Sequence, residues 1–293
     1  MTTNNYIELS NYKYFEVKGN DRVQFLQAII TNDINKCTID NAIYSALLTP
    51  QGKFISDFFI INLGKSFLFE IHKEFLEDTI DKFEIYKLRA KIEISNFYDY
   101  NSIAIYNLDN SFNFLSTSGR VKKIGSNYLF NDPRNTKMGL RGIILKKELE
   151  KFCVNNNLLK GKVIEYNENR INNLIPDASK DLKVNKSLLL ENNFDSINCI
   201  DWQKGCYIGQ EITARMKYRS LIKKSLKKIT ITSGNVTVND NIFMENKNIG
   251  NITSVSKKVA LAMIKTDDAR KSLDNNLILK TENGKVEIDP NFI

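Results

Sequence analysis

Between residues 226 and 288 the chain is built of short apolar runs, each too short for a helix and each closed by turn chemistry. The runs cover 226–232, 242–244, 249–255, 259–264, 277–279 and 286–288, with turn signals at Ser233-Gly234-Asn235 and Asn283-Gly284. Strands this short at this spacing predict a small β-barrel after about residue 218. Upstream, strands alternate with helices. Residues 12–18, 42–49, 54–63, 66–71, 91–94 and 103–106 read as strands, and 21–31, 73–87, 147–155 and 167–173 as helices. Val23, Leu26 and Ile30 share one side of the first helix, which Asn20 or Asp21 would cap. Pro50-Gln51-Gly52-Lys53 is a turn by its chemistry, so 42–63 predicts a hairpin. Asp57 then falls on an otherwise apolar face with Ile55, Phe59 and Ile61, given the two-residue alternation of a strand. Residues 107–131 read as hairpins and loops. The fold class is α+β.

The chain has 293 residues, which suits two or three domains, and 42% hydrophobic with 26% charged residues is globular composition. Its apolar stretches fall short of the ~20 residues a spanning helix needs, and Met1 to Asn5 is polar and uncharged. The expectation is a cytoplasmic protein without a membrane partner. A net charge of +8 permits an anionic partner, but long single-sign blocks are absent and so is an RNA-recognition fingerprint, so direct nucleic-acid binding is not expected. Neither a Walker A loop nor a GxGxxG fingerprint is present, which argues against nucleotide chemistry. Cys37, Cys153, Cys199 and Cys206 form no CxxC pair, and a single histidine, His72, excludes a His-based triad or multi-His metal site. Cys37, Cys153 and Cys199 read as packing residues and His72 as a surface or strand-end residue.

The richest segment is Trp202-Gln203-Lys204-Gly205-Cys206-Tyr207-Ile208-Gly209-Gln210-Glu211. Two glycines bracket a cysteine, and glycine permits positive φ or close backbone approach. The thiol is therefore expected on a tight loop. Lys204, two residues away, could favour the thiolate. Gln210 donates and accepts, and ionised Glu211 accepts, a set that suits a heteroaromatic ring with amide edges. On composition alone a structural turn is the simpler reading. Trp202 reads as packing the loop, with stacking on a ring as the alternative.

The string Lys204-Gly205-Cys206-Tyr207-Ile208-Gly209-Gln210-Glu211 resembles the signature of the YgfZ-like folate-binding proteins, which are similar to the aminomethyltransferase of the glycine cleavage system. Thr213-Ala214-Arg215-Met216-Lys217 continues the likeness. In collinear order, so do Gly19-Asn20-Asp21-Arg22 with Phe25-Leu26-Gln27, Thr31-Asn32-Asp33-Ile34, Gln51-Gly52-Lys53, Asp132-Pro133-Arg134 with Gly139-Leu140-Arg141, Arg170-Ile171 with Pro176, and Glu191-Asn192-Asn193-Phe194. The Asp-Pro-Arg element resembles the branch that includes the mitochondrial iron–sulfur assembly relative.

The resemblance implies three domains around a central folate channel: a discontinuous first domain (1–48 with 135–217) carrying the Cys loop, an inserted domain (49–134) and a C-terminal barrel (218–293). It implies a tetrahydrofolate-type ligand and a role in iron–sulfur cluster assembly or repair, with any effect on tRNA modification indirect. Asp57 falls on the transferases' folate-facing aspartate, where a tuned carboxylate would bind the pterin or move a proton. Lys53, Lys204, Gly205, Tyr207, Gly209, Gln210, Glu211, Arg170 and Arg215 are the further residues expected at the cofactor. Cys206 would act as nucleophile, redox thiol or ligand of a transient cluster. One thiolate cannot hold such a cluster, so an A-type carrier partner or another subunit would share it. The rival reading is a folate-dependent aminomethyl or one-carbon transferase. Against it, Asn172 stands where the transferases carry a folate-binding glutamate, and the Cys signature is foreign to them. Leu174 stands where glycine is common, which implies an altered turn.

Overall fold

In the computed structural model, which describes residues 4–97, 99–109, 112, 117–219 and 222–290, the first two strands part into different sheets. β1 (Asn5–Glu8) joins one, and β2 (Tyr12–Lys18) the other. After α1 (Arg22–Ile29), β3 (Ile43–Leu48) and β4 (Phe54–Asn62) form the expected hairpin, and β5 (Ser66–His72) extends it. α2 (Lys73–Lys87) follows over the span its periodicity predicts, and β6 (Glu93–Phe97) closes a sheet of order β3-β4-β5-β2-β6. β7 (Tyr100–Tyr106), β8 (Val121–Ile124), β9 (Asn127–Asn131), β10 (Leu140–Leu145), α3 (Leu149–Asn155) and β11 (Leu159–Lys160) complete the second, of order β11-β1-β7-β10-β9-β8. The hairpin expected in 107–131 is β8–β9; residues 110–111 and 113–116 of that stretch lie outside the described residues.

The first sheet is buried on both faces. One face takes α2, whose Phe83 meets Phe15, Phe25 and Phe69 edge-to-face at 5.6, 5.7 and 5.6 Å between centroids. His72 ends β5 and caps α2, its Nδ1 accepting from Glu74 N at 3.4 Å; it is buried, so the surface alternative for this residue fails. Asp21 does stand at the start of α1, but its carboxylate accepts from Lys91 N instead of capping the helix.

The other face meets the second sheet through a charged layer. Arg141 donates Nε and Nη2 to Glu70 at 2.9 Å each, with both side chains almost fully buried. Arg134 forks onto Asp132 at 3.0 and 2.7 Å. The guanidiniums interleave with rings: Arg141 lies 4.8 Å from Tyr12 and 4.0 Å from Phe59, and Arg134 lies 4.9 Å from Phe59 and 5.6 Å from Tyr44. Arg141 thus packs on Tyr12 and Phe59, while Phe59, Arg134 and Tyr44 cluster together, the Phe59 and Tyr44 rings being 4.9 Å apart. β10 escaped the sequence reading because Arg141-Gly142 breaks its apolar pattern; Glu70, 71 residues away, is what makes a buried arginine tolerable there.

The chain divides into two compact units, Met1–Lys162 with Ser196–Gln210, and Val163–Asp195 with Glu211–Ile293. Both sheets above lie in the first unit. The expected boundary between residues 48 and 49 falls inside the β3–β4 hairpin. The second unit holds α4 (Val163–Asn172), α5 (Ala178–Asp181), α6 (Gln210–Tyr218, from its second residue) and the barrel. The barrel is formed by β12 (Lys224–Gly234), β13 (Asn241–Met244), β14 (Lys247–Ser256) and β15 (Val259–Lys265), then α7 (Thr266–Asp274), β16 (Leu279–Lys280) and β17 (Gly284–Ile288). It is closed in the order β12-β15-β14-β13-β16-β17, as the turn spacing predicts, around Ile229, Ile242, Ile252, Ile264, Leu279 and Val286. α7 was missed because it is mostly charged and buries only Asp268, Ala269 and Ser272.

Leu174 has φ +55, the left-handed backbone that glycine adopts freely, so a leucine here occupies a turn position that favours glycine. Close by, burial pushes the Asp177 carboxyl up, but Arg170 and Lys180 outweigh it and hold it at about 2, below the ordinary 3.8. A depressed carboxyl contributes stability that is present above its unfolded pKa and lost as pH falls through the folded one. Asp177→Asn, which keeps the cap on Ser179 N, should cost about 2 kcal/mol near neutrality. Denaturant titrations of both proteins should converge as pH drops from about 4 to 2. A gap constant with pH would show that the charge contributes nothing.

Candidate functional site

Residues 197–209 run across the first unit as a loop, and its fixings decide where the thiol sits. Asp201 N bonds Thr31 O at 3.1 Å, and Ile208 N bonds Ala28 O at 3.1 Å. Between them Lys204 is buried: its ammonium donates to Ile30 O at 2.6 Å and Asn32 O at 2.9 Å and lies 5.1 Å from the Tyr207 ring. Desolvation lowers its pKa from 10.5 to about 8, against the pull of Asp33 and Asp201. This corrects the expectation that Lys204 serves the thiolate. Its charge is directed at backbone carbonyls, and it acts as the nail of the loop.

The two glycines of the signature differ. Gly209 has φ +82, and a Cβ there would lie 2.5 Å from Thr49 O and 3.1 Å from Gly52 Cα. The loop is thereby seated on the Gln51-Gly52-Lys53 turn, which Lys53 closes through Thr49. Gly205 has open space where a Cβ would point. Cys206, between them, is exposed and lines an open groove of about 420 Å³ along α1 with Asp21, Gln24, Gln27 and Asn35. Cys37, Cys153 and Cys199 are buried, and burial pushes each of those thiols up. Cys199 packs on Thr31, whose hydroxyl donates to Cys199 O at 2.7 Å.

A second cleft, of about 450 Å³, opens along residues 198–203 of the same loop. Half-buried Trp202 lines it together with Lys36, Asn32, Asn41, Asn198 and Tyr44. An indole beside several amides matches a planar heteroaromatic ring with donor and acceptor edges, in a volume ordinary for a small-molecule pocket. Sequence reading passed over Asn32, Lys36, Asn41, Asn198 and Tyr44. The available signal was Asn198, whose φ of +57 marks a shaped turn, and Asn32 inside the Thr-Asn-Asp-Ile motif, whose amide donates to Tyr44 O and Asn198 O at 2.8 Å.

Asp57 is half-buried on β4, and Tyr44 donates its hydroxyl to Asp57 Oδ2 at 2.5 Å. Burial raises the Tyr44 phenol well above its ordinary value, so it remains a donor. Asp57 lines neither cleft described above, while Cys206 lines the groove along α1. Gln210 opens α6 with its N on Tyr207 O. Glu211 and Arg215 are exposed and pair with each other at 2.7 Å. Arg170 lies in the second unit, buried, with Nε on Asn167, Nη1 on Ile175 O and Asp181, and Nη2 on Ser254. Among the described residues, no group of three or more His, Cys, Asp or Glu could hold a metal ion, so a metal bound by Cys206 would draw its other ligands from elsewhere.

Residues 2–105 match the GCVT N-terminal domain. The chain is 30% identical over 233 residues to the mitochondrial iron–sulfur cluster assembly factor IBA57 homologue of Neurospora crassa, covering 75% of this chain and 52% of that protein. It is 28% identical over 225 residues to the corresponding homologue of Mycosarcoma maydis (72% and 53%) and 28% over 225 residues to mitochondrial IBA57 of Mus musculus (72% and 62%). The chain spans about half the length of the first of these relatives. It also superposes on the glycine cleavage system aminomethyltransferase T of Bartonella henselae with a TM-score of 0.79, over 100% of this chain and 87% of the other. At 11% identity that likeness shows the fold, which is aminomethyltransferase-like and mixed α/β with a closed C-terminal barrel, consistent with three domains. The cytoplasmic expectation is overturned by these relatives, which are mitochondrial proteins. Its basis was five polar residues at the start of the sequence, and those carry no information about compartment. Among the described residues, no helix is long and apolar enough to cross a membrane.

Proposed function

We propose that the chain, which is similar to GCVT and to the IBA57 homologues, is a folate-binding factor of iron–sulfur cluster assembly that works with Cys206 in a mitochondrial setting. The observation that carries this reading is the exposed sulfur of Cys206, held out by a loop nailed at Lys204 and seated at Gly209. A soft thiolate presented at a surface is an iron ligand that a second protein can share. An A-type carrier supplying the remaining thiolates is the fitting partner. The Trp202 cleft supplies the chemistry for a pterin, an indole face and amide edges, and Asp57, outside the lining, acts on it through Tyr44, the lining phenol bonded to its carboxylate. The nail and seat keep the thiol function apart from the ring-binding function. A glycine-cleavage transferase is disfavoured by Asn172, a neutral amide where those enzymes place a glutamate.

Two measurements on the same three proteins test this. Calorimetry with tetrahydrofolate should show binding by wild type and Cys206→Ala, and loss of roughly tenfold or more with Asp57→Ala. Anaerobic reconstitution with an A-type carrier should give a shared cluster spectrum with wild type and Asp57→Ala, and none with Cys206→Ala. A cluster spectrum unchanged by Cys206→Ala removes the thiol from the function. Absence of tetrahydrofolate binding by the wild type removes the folate.

A further inference from the structure

Leu88 ends α2 with φ +46 and ψ −106, a backbone that glycine adopts and a branched side chain resists, and it is 89% exposed. Nothing in the fold rewards a leucine there, because its side chain stands in water. Three residues earlier Ile85 is 59% exposed. These two apolar side chains do not stand alone. The next residues, Arg89 and Lys91, are exposed, and Lys91 N bonds Asp21 Oδ2 at 2.7 Å, which brings the 19–22 turn alongside. From that turn Arg22 donates to Gly64 O at 3.1 Å, which brings in exposed Lys65. Three turns of the first unit therefore meet at one end of its first sheet, tied by Arg22 through Gly19 O and Gly64 O, with exposed Lys65, Arg89 and Lys91 near the leucine tip. Of the nearby acids, Asp21 accepts from the Lys91 backbone, Glu84 pairs with Lys87 at 3.3 Å, and exposed Glu93 lies opposite Lys18 in the sheet.

We propose that this face docks on an anionic lipid surface, with Leu88 and Ile85 entering the headgroup–acyl boundary and the exposed Lys65, Arg89 and Lys91 meeting lipid phosphates. The choice of a bilayer over a protein rests on the shape of the patch. A protein interface needs an apolar core of many side chains with polar groups at its rim. Here two protruding apolar side chains stand beside exposed Lys65, Arg89 and Lys91, which is the arrangement of a shallow interfacial anchor assisted by charge. The expectation of no membrane partner rested on the lack of a spanning segment, and a surface anchor needs none. The chain's net charge of +8 acts in the same direction. The proposal is independent of the folate and cluster reading, since neither Cys206 nor the Trp202 cleft contributes to it.

The test is cosedimentation of the full chain with vesicles of phosphatidylcholine alone and of phosphatidylcholine with about one third phosphatidylglycerol. Wild type should sediment with the anionic vesicles, stay in solution with the neutral ones, and be released as salt is raised to roughly 0.5 M. Leu88→Gly should bind about tenfold more weakly while unfolding at the same or a higher temperature, because glycine relieves the backbone and the lost side chain touches only water. Arg89→Glu should weaken binding as well. Binding unchanged in Leu88→Gly, binding to neutral vesicles that salt does not reverse, or no binding to either overturns the proposal. So does a Leu88-dependent dimer in analytical sedimentation without lipid, which would assign the tip to a second copy.

Discussion

Glutamine in place of Glu70 is expected to destabilise the chain by about 3 to 5 kcal/mol, read as a shift in the urea midpoint at neutral pH. The side chain keeps its shape but loses its charge, and Arg141 is left as an uncompensated cation in a place with 1% exposure. Removing both charges tells a different story. Glu70→Leu combined with Arg141→Met replaces the pair by apolar volume and should recover most of the loss, as buried ion pairs exchanged whole for hydrocarbon commonly do. A single Glu70→Gln protein within about 1 kcal/mol of wild type would mean that water reaches the layer and that its guanidiniums are not truly buried. Since a domain of this kind is stable by only about 5–15 kcal/mol, the single substitution removes a large part of the total.

The second large effect separates two glycines that look alike in sequence. Gly209→Ala should cost about 2 to 3 kcal/mol, because the new methyl would meet the Thr49 carbonyl at 2.5 Å and the backbone has φ +82. Gly205→Ala should change stability by less than about 0.5 kcal/mol, since nothing lies within 4 Å of the added atom. The seat of the loop is thus at one end only. Thermal unfolding of the two variants checks this, with alkylation of Cys206 as a companion measurement: its rate should change in Gly209→Ala and hold in Gly205→Ala. Equal stability losses would show that the loop is seated at both ends.

The barrel, the β3–β4 hairpin and α2 were legible in the sequence because each satisfies its own periodicity with neighbouring residues. The elements that escaped are those without an unbroken apolar pattern of their own. β10 contains an arginine that only Glu70 makes acceptable, and α7 is mostly charged and needs few buried residues. At the site, the exposed thiol followed from the glycine-bracketed string, but the task of Lys204 did not. A lysine two residues from a cysteine reads as an electrostatic partner, and only the folded backbone shows its ammonium turned toward Ile30 and Asn32. The Trp202 cleft was invisible for the same reason: Asn32, Asn41 and Asn198 come from three separate stretches, and in a chain rich in asparagine none of them stands out.

The cluster of Tyr12, Arg141, Phe59, Arg134 and Tyr44 bears on how freely this protein can vary. Two sheets joined by aliphatic side chains can creep past one another as residues change, because oil has no preferred alignment. A guanidinium held by a two-pronged carboxylate contact and flanked by flat rings accepts one alignment alone. Since Tyr44, packed on both Phe59 and Arg134, carries the hydroxyl that grips Asp57, drift anywhere in the cluster would be felt at that carboxylate. The protein can therefore tolerate wide change on its outer faces while its middle stays frozen, a jig that keeps one acidic group in place however the surface is rewritten.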